Sequence, residues 1–159
     1  MSLGILVGVT SCRGSDDSSV TGRLWVSALP RSPRVPVRSF ITTKAAKDHA
    51  GILIQGSLYR GGYDVFTWKN EADGRVALQY LQDQRRHTLT IEPCTPSRGF
   101  HACIDVAGEP TIAGRYQSRK RWVLRRGQGE GDALDVPTLA AAWASLQPDV
   151  TEALRESDR

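Results

Sequence analysis

The residues best suited to chemistry lie close together in the middle of the chain. Residues 87–106 read HTLTIEPCTPSRGFHACIDV: two alternating runs joined at Arg98-Gly99. With Arg98 and Gly99 as central turn residues, the runs pair Pro93 with Ile104, Ile91 with Val106, Cys94 with Cys103 and Glu92 with Asp105. Leu89, Ile91, Phe100, Ala102, Ile104 and Val106 then share an apolar face. The other face collects Thr90, Glu92, Cys94, His101, Cys103 and Asp105. Glu92, Asp105 and His101 are the catalytic candidates, since such residues work as general acids and bases or hold a hard cation. Two carboxylates held close raise the pKa of one of them. Like charges directly opposite also destabilise a sheet, so the pair is otherwise solvated, neutralised by an arginine, bound to a cation or sharing a proton. Inside a closed sheet this face is a pocket floor; outside, it is surface.

A second candidate is cationic. Residues 114–127 read GRYQSRKRWVLRRG. As one strand, they put Arg115, Gln117, Arg119, Arg121, Val123 and Arg125 on one face, with Tyr116, Lys120, Trp122 and Arg126 on the other. Side chains two apart are roughly 6.6 Å from each other, so the guanidinium row could track a phosphate backbone while Tyr116 and Trp122 stack on bases. The expected nucleic-acid-binding set is Arg115, Tyr116, Arg119, Lys120, Arg121, Trp122, Arg125 and Arg126. The alternatives are an outer face paired with acids, a strand edge charged against aggregation, or a turn at Ser118-Arg119.

Composition narrows the function classes. The 159 residues suffice for one domain with a real core. Net charge is +4, carried by arginine with only four lysines, and arginine suits bidentate contacts to phosphate or carboxylate. Three cysteines without a CxxC spacing argue against a disulfide framework or a structural zinc site. Cys94 and Cys103 could bridge the hairpin, but in a reducing cytosol they would remain thiols. Residues 3–9 form a short apolar run, read as a first strand; Val9-Thr10-Ser11-Cys12 also resembles a lipoprotein cleavage site, although no Lys or Arg precedes the run. The expected location is cytoplasmic, the alternative a lipoprotein anchored at Cys12, and no stretch is long enough for a transmembrane helix. Common nucleotide, zinc-protease and serine-hydrolase motifs are missing, and no cofactor or metal is expected. Tyr59-Arg60-Gly61 resembles a triplet of NAD-dependent ADP-ribosyltransferases, but without their Ser-Thr-Ser strand and Glu-x-Glu pair. A hairpin turn explains it more simply.

The elements that must position these residues are mostly strands. Alternation marks 20–29, 35–42, 52–59, 63–69 and 76–82, punctuated by Gly, Pro, Asn and Asp. Residues 43–49 suit a helical turn capped by Thr43. With 83–86 as a turn, Leu78 faces Ile91 and Tyr80 faces Leu89; a helix over 76–86 is the alternative. Asp135 can cap a helix with Pro137 in its first turn and Leu139, Ala140, Trp143 and Leu146 as its buried stripe. The chain therefore reads as a single domain. An antiparallel meander of about eight to ten strands (1–126) closes as a barrel or sandwich; a linker follows (127–134), then one or two C-terminal helices (135–157). The functional expectation is a small basic non-enzymatic binding protein contacting nucleic acid through the Arg-rich strand. The alternatives are a partner in protein or homo-oligomer assembly, and a small-ligand barrel or enzyme using Glu92, Asp105 and His101.

Overall fold

The computed structural model describes residues 20–29, 34–45, 48–57, 60–71 and 74–124. Eight strands follow in chain order: β1 (Arg23–Val26), β2 (Val37–Ala45), β3 (Asp48–Gly56), β4 (Gly61–Asn70), β5 (Arg75–Tyr80), β6 (Arg86–Pro93), β7 (Ala102–Ala107) and β8 (Gly114–Ser118). Each pairs with the next, β1 pairs back to β8, and every pairing is antiparallel. The meander is a closed barrel, which leaves no open sheet edge. One end carries the connections that follow β1, β3, β5 and β7; the other carries those that follow β2, β4 and β6, together with residues 119–121 after β8. No α-helix lies among the described residues, and thus no helix there is long and apolar enough to cross a membrane. The expected first strand, Cys12, the 127–134 linker and the 135–157 helices lie outside the described residues.

Period-two alternation decides which side chains enter the barrel. On β5, Val76, Leu78 and Tyr80 are buried while Arg75, Ala77 and Gln79 are not. The core draws on every strand, with Trp25, Phe40, Leu53, Phe66, Leu78 and Leu89 among its members, joined by Ile104 and Tyr116. Such side chains fill the interior, as an eight-stranded barrel allows. Phe40 and Tyr116 meet edge to face with centroids 4.8 Å apart, a preferred aromatic geometry. Gly51 lies opposite Phe66 across the β3–β4 ladder, and a Cβ there would run into the Phe66 ring.

A second cluster lies on the outside. Leu24 and Val26 of β1, Ile41 of β2, Ala50 and Ile52 of β3, and Val65 of β4 pack with Trp122. Their strands are apolar on both faces, the pattern of a sheet covered on both sides.

Several expected boundaries move. Residues 43–45 complete β2, which pairs with β3 from Val37↔Gly56 to Ala45↔Asp48, so the helical turn over 43–49 does not form. The long ladder supplies backbone partners that a one-turn helix would lack. Residues 76–80 are strand, but the β5–β6 register is Leu78↔His87 and Val76↔Leu89, not Leu78 opposite Ile91. The turn falls earlier: Tyr80 N–H donates to Arg85 O at 3.0 Å, Gln84 takes a positive φ of 61°, and Arg86 already belongs to β6. A slip of an even number of residues leaves every side chain on its expected face. The strand expected over 114–127 stops at Ser118. Trp122 N–H donates to Arg119 O at 3.0 Å in a turn, after which Leu24 N–H donates to Trp122 O at 2.9 Å and Leu124 N–H to Gly22 O at 2.7 Å. The chain thus leaves β1 for three residues and returns to it.

Candidate functional site

The β6–β7 hairpin has the expected register: Ile91↔Val106, Glu92↔Asp105 and Pro93↔Ile104. Arg98 and Gly99 form its turn, with Phe100 N–H donating to Ser97 O at 3.0 Å and Gly99 at φ 87°. Cys94 N–H donates to Cys103 O at 3.1 Å, and the two sulfurs form a disulfide. The expected pair of thiols is therefore a cross-strand bond at the foot of the loop. Phe100, expected on the interior face, instead packs with the outer cluster, edge to face against Trp122.

The Glu92/Asp105 face points away from the barrel. Glu92 is exposed, and Asp105 meets Arg115, its partner on β8. Arg115 Nε donates to Asp105 Oδ1 and Nη2 to Oδ2, both at 2.8 Å. This bidentate pair holds the Asp105 carboxyl below its ordinary range through the Arg115 hydrogen bonds, and resolves the like-charge opposition in the arginine-neutralised way. His101 is exposed beside the turn, four residues from Asp105 and so about 13 Å along the strand direction. The structure does not bring the three candidates together as a pocket. Among the described residues no group of three or more His, Cys, Asp or Glu is placed to hold a metal ion.

The cationic residues are divided among different settings. Arg115 is bound to Asp105. Tyr116 points into the core and Trp122 into the outer cluster, and both are 0% exposed, so neither can stack on a base. Arg119 Cζ lies 5.7 Å from the Phe100 ring centroid and 5.6 Å from that of Trp122. Lys120 and Arg121 are exposed at the tip of the turn, as is Arg98 at the hairpin tip. The two tips stand side by side, because Ala102 pairs with Ser118 and His101 N–H donates to Ser118 O at 2.8 Å. Arg125 and Arg126 lie outside the described residues.

A polar cluster at the opposite end was not foreseen. The 108–113 connection folds inward, burying Ile112 in the core and Glu109 at 3% exposure. Glu109 Oε2 accepts from Tyr80 Oη at 2.9 Å and Ile112 N–H at 3.0 Å; Oε1 accepts from Thr111 Oγ1 at 2.7 Å. Burial pushes the Glu109 carboxyl up, but the Thr111, Tyr80 and Ile112 hydrogen bonds outweigh it and hold the group below its ordinary value. Burial, then the Glu109 carboxylate, push the Tyr80 phenol well up. Arg38 Nη1 donates to Thr111 O at 3.2 Å, and its Cζ lies 5.9 Å from the Tyr116 ring centroid. Tyr116 is pushed up to about 12, chiefly by burial. In the sequence, Glu109 carried only the signal of a turn, Gly108-Glu109-Pro110. Glu109 is thus bonded within the cluster, whereas Tyr116 Oη is buried without a hydrogen-bond partner.

Comparison of the chain with protein-family models, with characterised proteins and with solved structures finds no match.

Proposed function

We propose that the protein is a non-enzymatic binding barrel that engages nucleic acid through Arg98, Arg119, Lys120 and Arg121 at the hairpin end. The observation that carries this reading is the adjacency of the two cationic tips, held together by the Ala102–Ser118 pairing. The surface differs from a strand-long ribbon: it is compact and uses side chains from two turns, with Arg115 committed to Asp105. A side-chain-filled interior and an outward-facing Glu92/Asp105 pair favour surface binding over chemistry in the barrel.

A patch of this size implies about three or four phosphate contacts. Phosphate neutralisation releases counterions, with a slope of log K against log salt near −0.9 per contact on duplex DNA. The expected slope is therefore roughly −3, with affinity strong only at low salt. The test is a salt titration of labelled single- and double-stranded oligonucleotides. The Arg98→Gln/Lys120→Gln/Arg121→Gln variant should flatten the slope to about −1, the single contact left to Arg119, while circular dichroism shows the barrel still folded. Arg119 is left in place because it packs on Phe100 and Trp122. No binding at low salt, or an undiminished slope in the triple variant, overturns the proposal.

A further inference from the structure

We propose that the Cys94–Cys103 disulfide is a thiol-exchange site, entered at Cys94, whose reduction releases the Arg98 loop from the Arg119–Arg121 turn. Exposed disulfides are more easily reduced than buried structural ones. This one lies on the outward face of the wall, in line with Glu92 and Asp105. Its two ends are unequal: Cys103 is 5% exposed, whereas Cys94 is half-buried and heads the exposed loop. A small thiol therefore reaches Cys94 first. Its thiolate attacks Cys94 Sγ, the sulfur–sulfur bond breaks, and Cys103 leaves as a thiolate that takes up a proton. A second thiol displaces the first from Cys94. Two thiols thus become one disulfide, and their two electrons and two protons end on Cys94 and Cys103.

What the bond holds follows from the ties around it. The β6–β7 ladder ends at Pro93↔Ile104. On the β7 side the chain stays fixed to β8: Ala102 pairs with Ser118, Cys103 with Gln117, and His101 N–H donates to Ser118 O at 2.8 Å. Phe100 packs on Trp122. On the β6 side, Cys94 N–H donates to Cys103 O at 3.1 Å and Ser97 N–H to Gln117 Oε1 at 2.6 Å, while Thr95, Ser97, Arg98 and Gly99 are exposed. Segments with exposed hydrogen bonds and little apolar burial open locally. The disulfide is the covalent tie between this soft half and the anchored half, and it keeps Arg98 beside Lys120 and Arg121. Only the binding consequence rests on the nucleic-acid reading: release of Arg98 removes about one phosphate contact and flattens the salt slope from roughly −3 to about −2.

The test treats the full-length protein, folded by circular dichroism, with reduced glutathione, blocks free thiols with N-ethylmaleimide and maps the peptides. Glutathione should sit on Cys94 and the maleimide on Cys103, in about tenfold excess over the reverse. On full reduction, amide exchange at Ser97, Arg98 and Gly99 should quicken about tenfold or more, by a larger factor than the amides of β3. No thiol exchange in the folded protein, equal labelling of the two cysteines, or an unchanged loop overturns the proposal. In the oligonucleotide titration, Cys94→Ser/Cys103→Ser should show the flatter slope with or without reductant. A wild-type slope that reduction leaves unchanged overturns the link to binding. No binding by the oxidised protein overturns the nucleic-acid reading instead, and the glutathione map and loop exchange then decide the thiol-exchange site.

Discussion

Glu109 shows how a single residue can be unreadable in sequence yet central in structure. Its donors are Tyr80 from β5 and two groups of its own turn, Thr111 and Ile112; no local pattern links Tyr80 to Glu109. Glu92 and Asp105 were legible because a hairpin register follows from a turn and an alternation. Their setting was not, since it depends on closure and on Arg115 from a strand not in that hairpin. Tyr80→Phe removes a donor from a buried carboxylate and should cost about 1–3 kcal/mol in denaturant unfolding. Glu109 is held below its ordinary value in the folded protein, so its contribution is present above the unfolded-state pKa and is lost as pH falls through the folded one. Acid unfolding should therefore begin at higher pH in Tyr80→Phe than in wild type, as read by melting temperature against pH. Tyr80 and Tyr116 have the opposite sign. Both are raised, so their contribution is complete below the unfolded phenol value and declines as pH rises above about 10. Phenolate absorbance should show Tyr116 ionising only near pH 12 or together with unfolding.

At the scale of elements, strand existence and facing were legible, whereas turn positions often were not. The β5–β6 turn came earlier than its polar residues suggested, because 83–86 is hydrophilic throughout and several closures fit it equally well. The preserved facing explains why Leu78, Tyr80, Leu89 and Ile91 were still assigned to the core. The basic strand failed for a different reason: Arg119-Lys120-Arg121 alternates with its neighbours as a strand would, but only by turning there can Trp122 reach the outer cluster. The β6–β7 hairpin offers a direct check on covalent structure. With Cys94 and Cys103 bonded, thiol titration of the unfolded, unreduced protein should find one reactive thiol of the three cysteines, rising to three after reduction. Closing so short a loop limits the unfolded chain, so Cys94→Ser/Cys103→Ser should lose roughly 2–3 kcal/mol in the chain-entropy account. On the β3–β4 ladder, Gly51→Val should cost at least about 1–3 kcal/mol by overpacking, because the Phe66 ring occupies the space a side chain would need.

For the molecule as a whole, the barrel has one weak seam. β2 and β3 are paired at nine positions from Val37↔Gly56 to Ala45↔Asp48, whereas β1 and β8 share only Val26↔Gln117. The rest of that seam is supplied after the Arg119–Arg121 excursion, by the Leu24–Trp122 and Leu124–Gly22 hydrogen bonds and an isolated Arg23–Val123 bridge. Trp122 is therefore both a closing piece of the wall and the anchor of its outer layer, buried completely against Leu24, Val26 and Phe100. Local opening should reflect this unevenness, since segments with few backbone and apolar partners open below the global unfolding energy. Native-state amide exchange should find β1 and β8 opening before β3 and β4. Trp122→Ala should cost about 3–5 kcal/mol, or roughly two to three and a half decades in the opening equilibrium. That loss should fall first on the amides of β1, with β3 and β4 slowed or sped only as far as global stability changes. Uniform acceleration across all eight strands would mean that the barrel opens as one cooperative unit and that the seam carries no separate equilibrium.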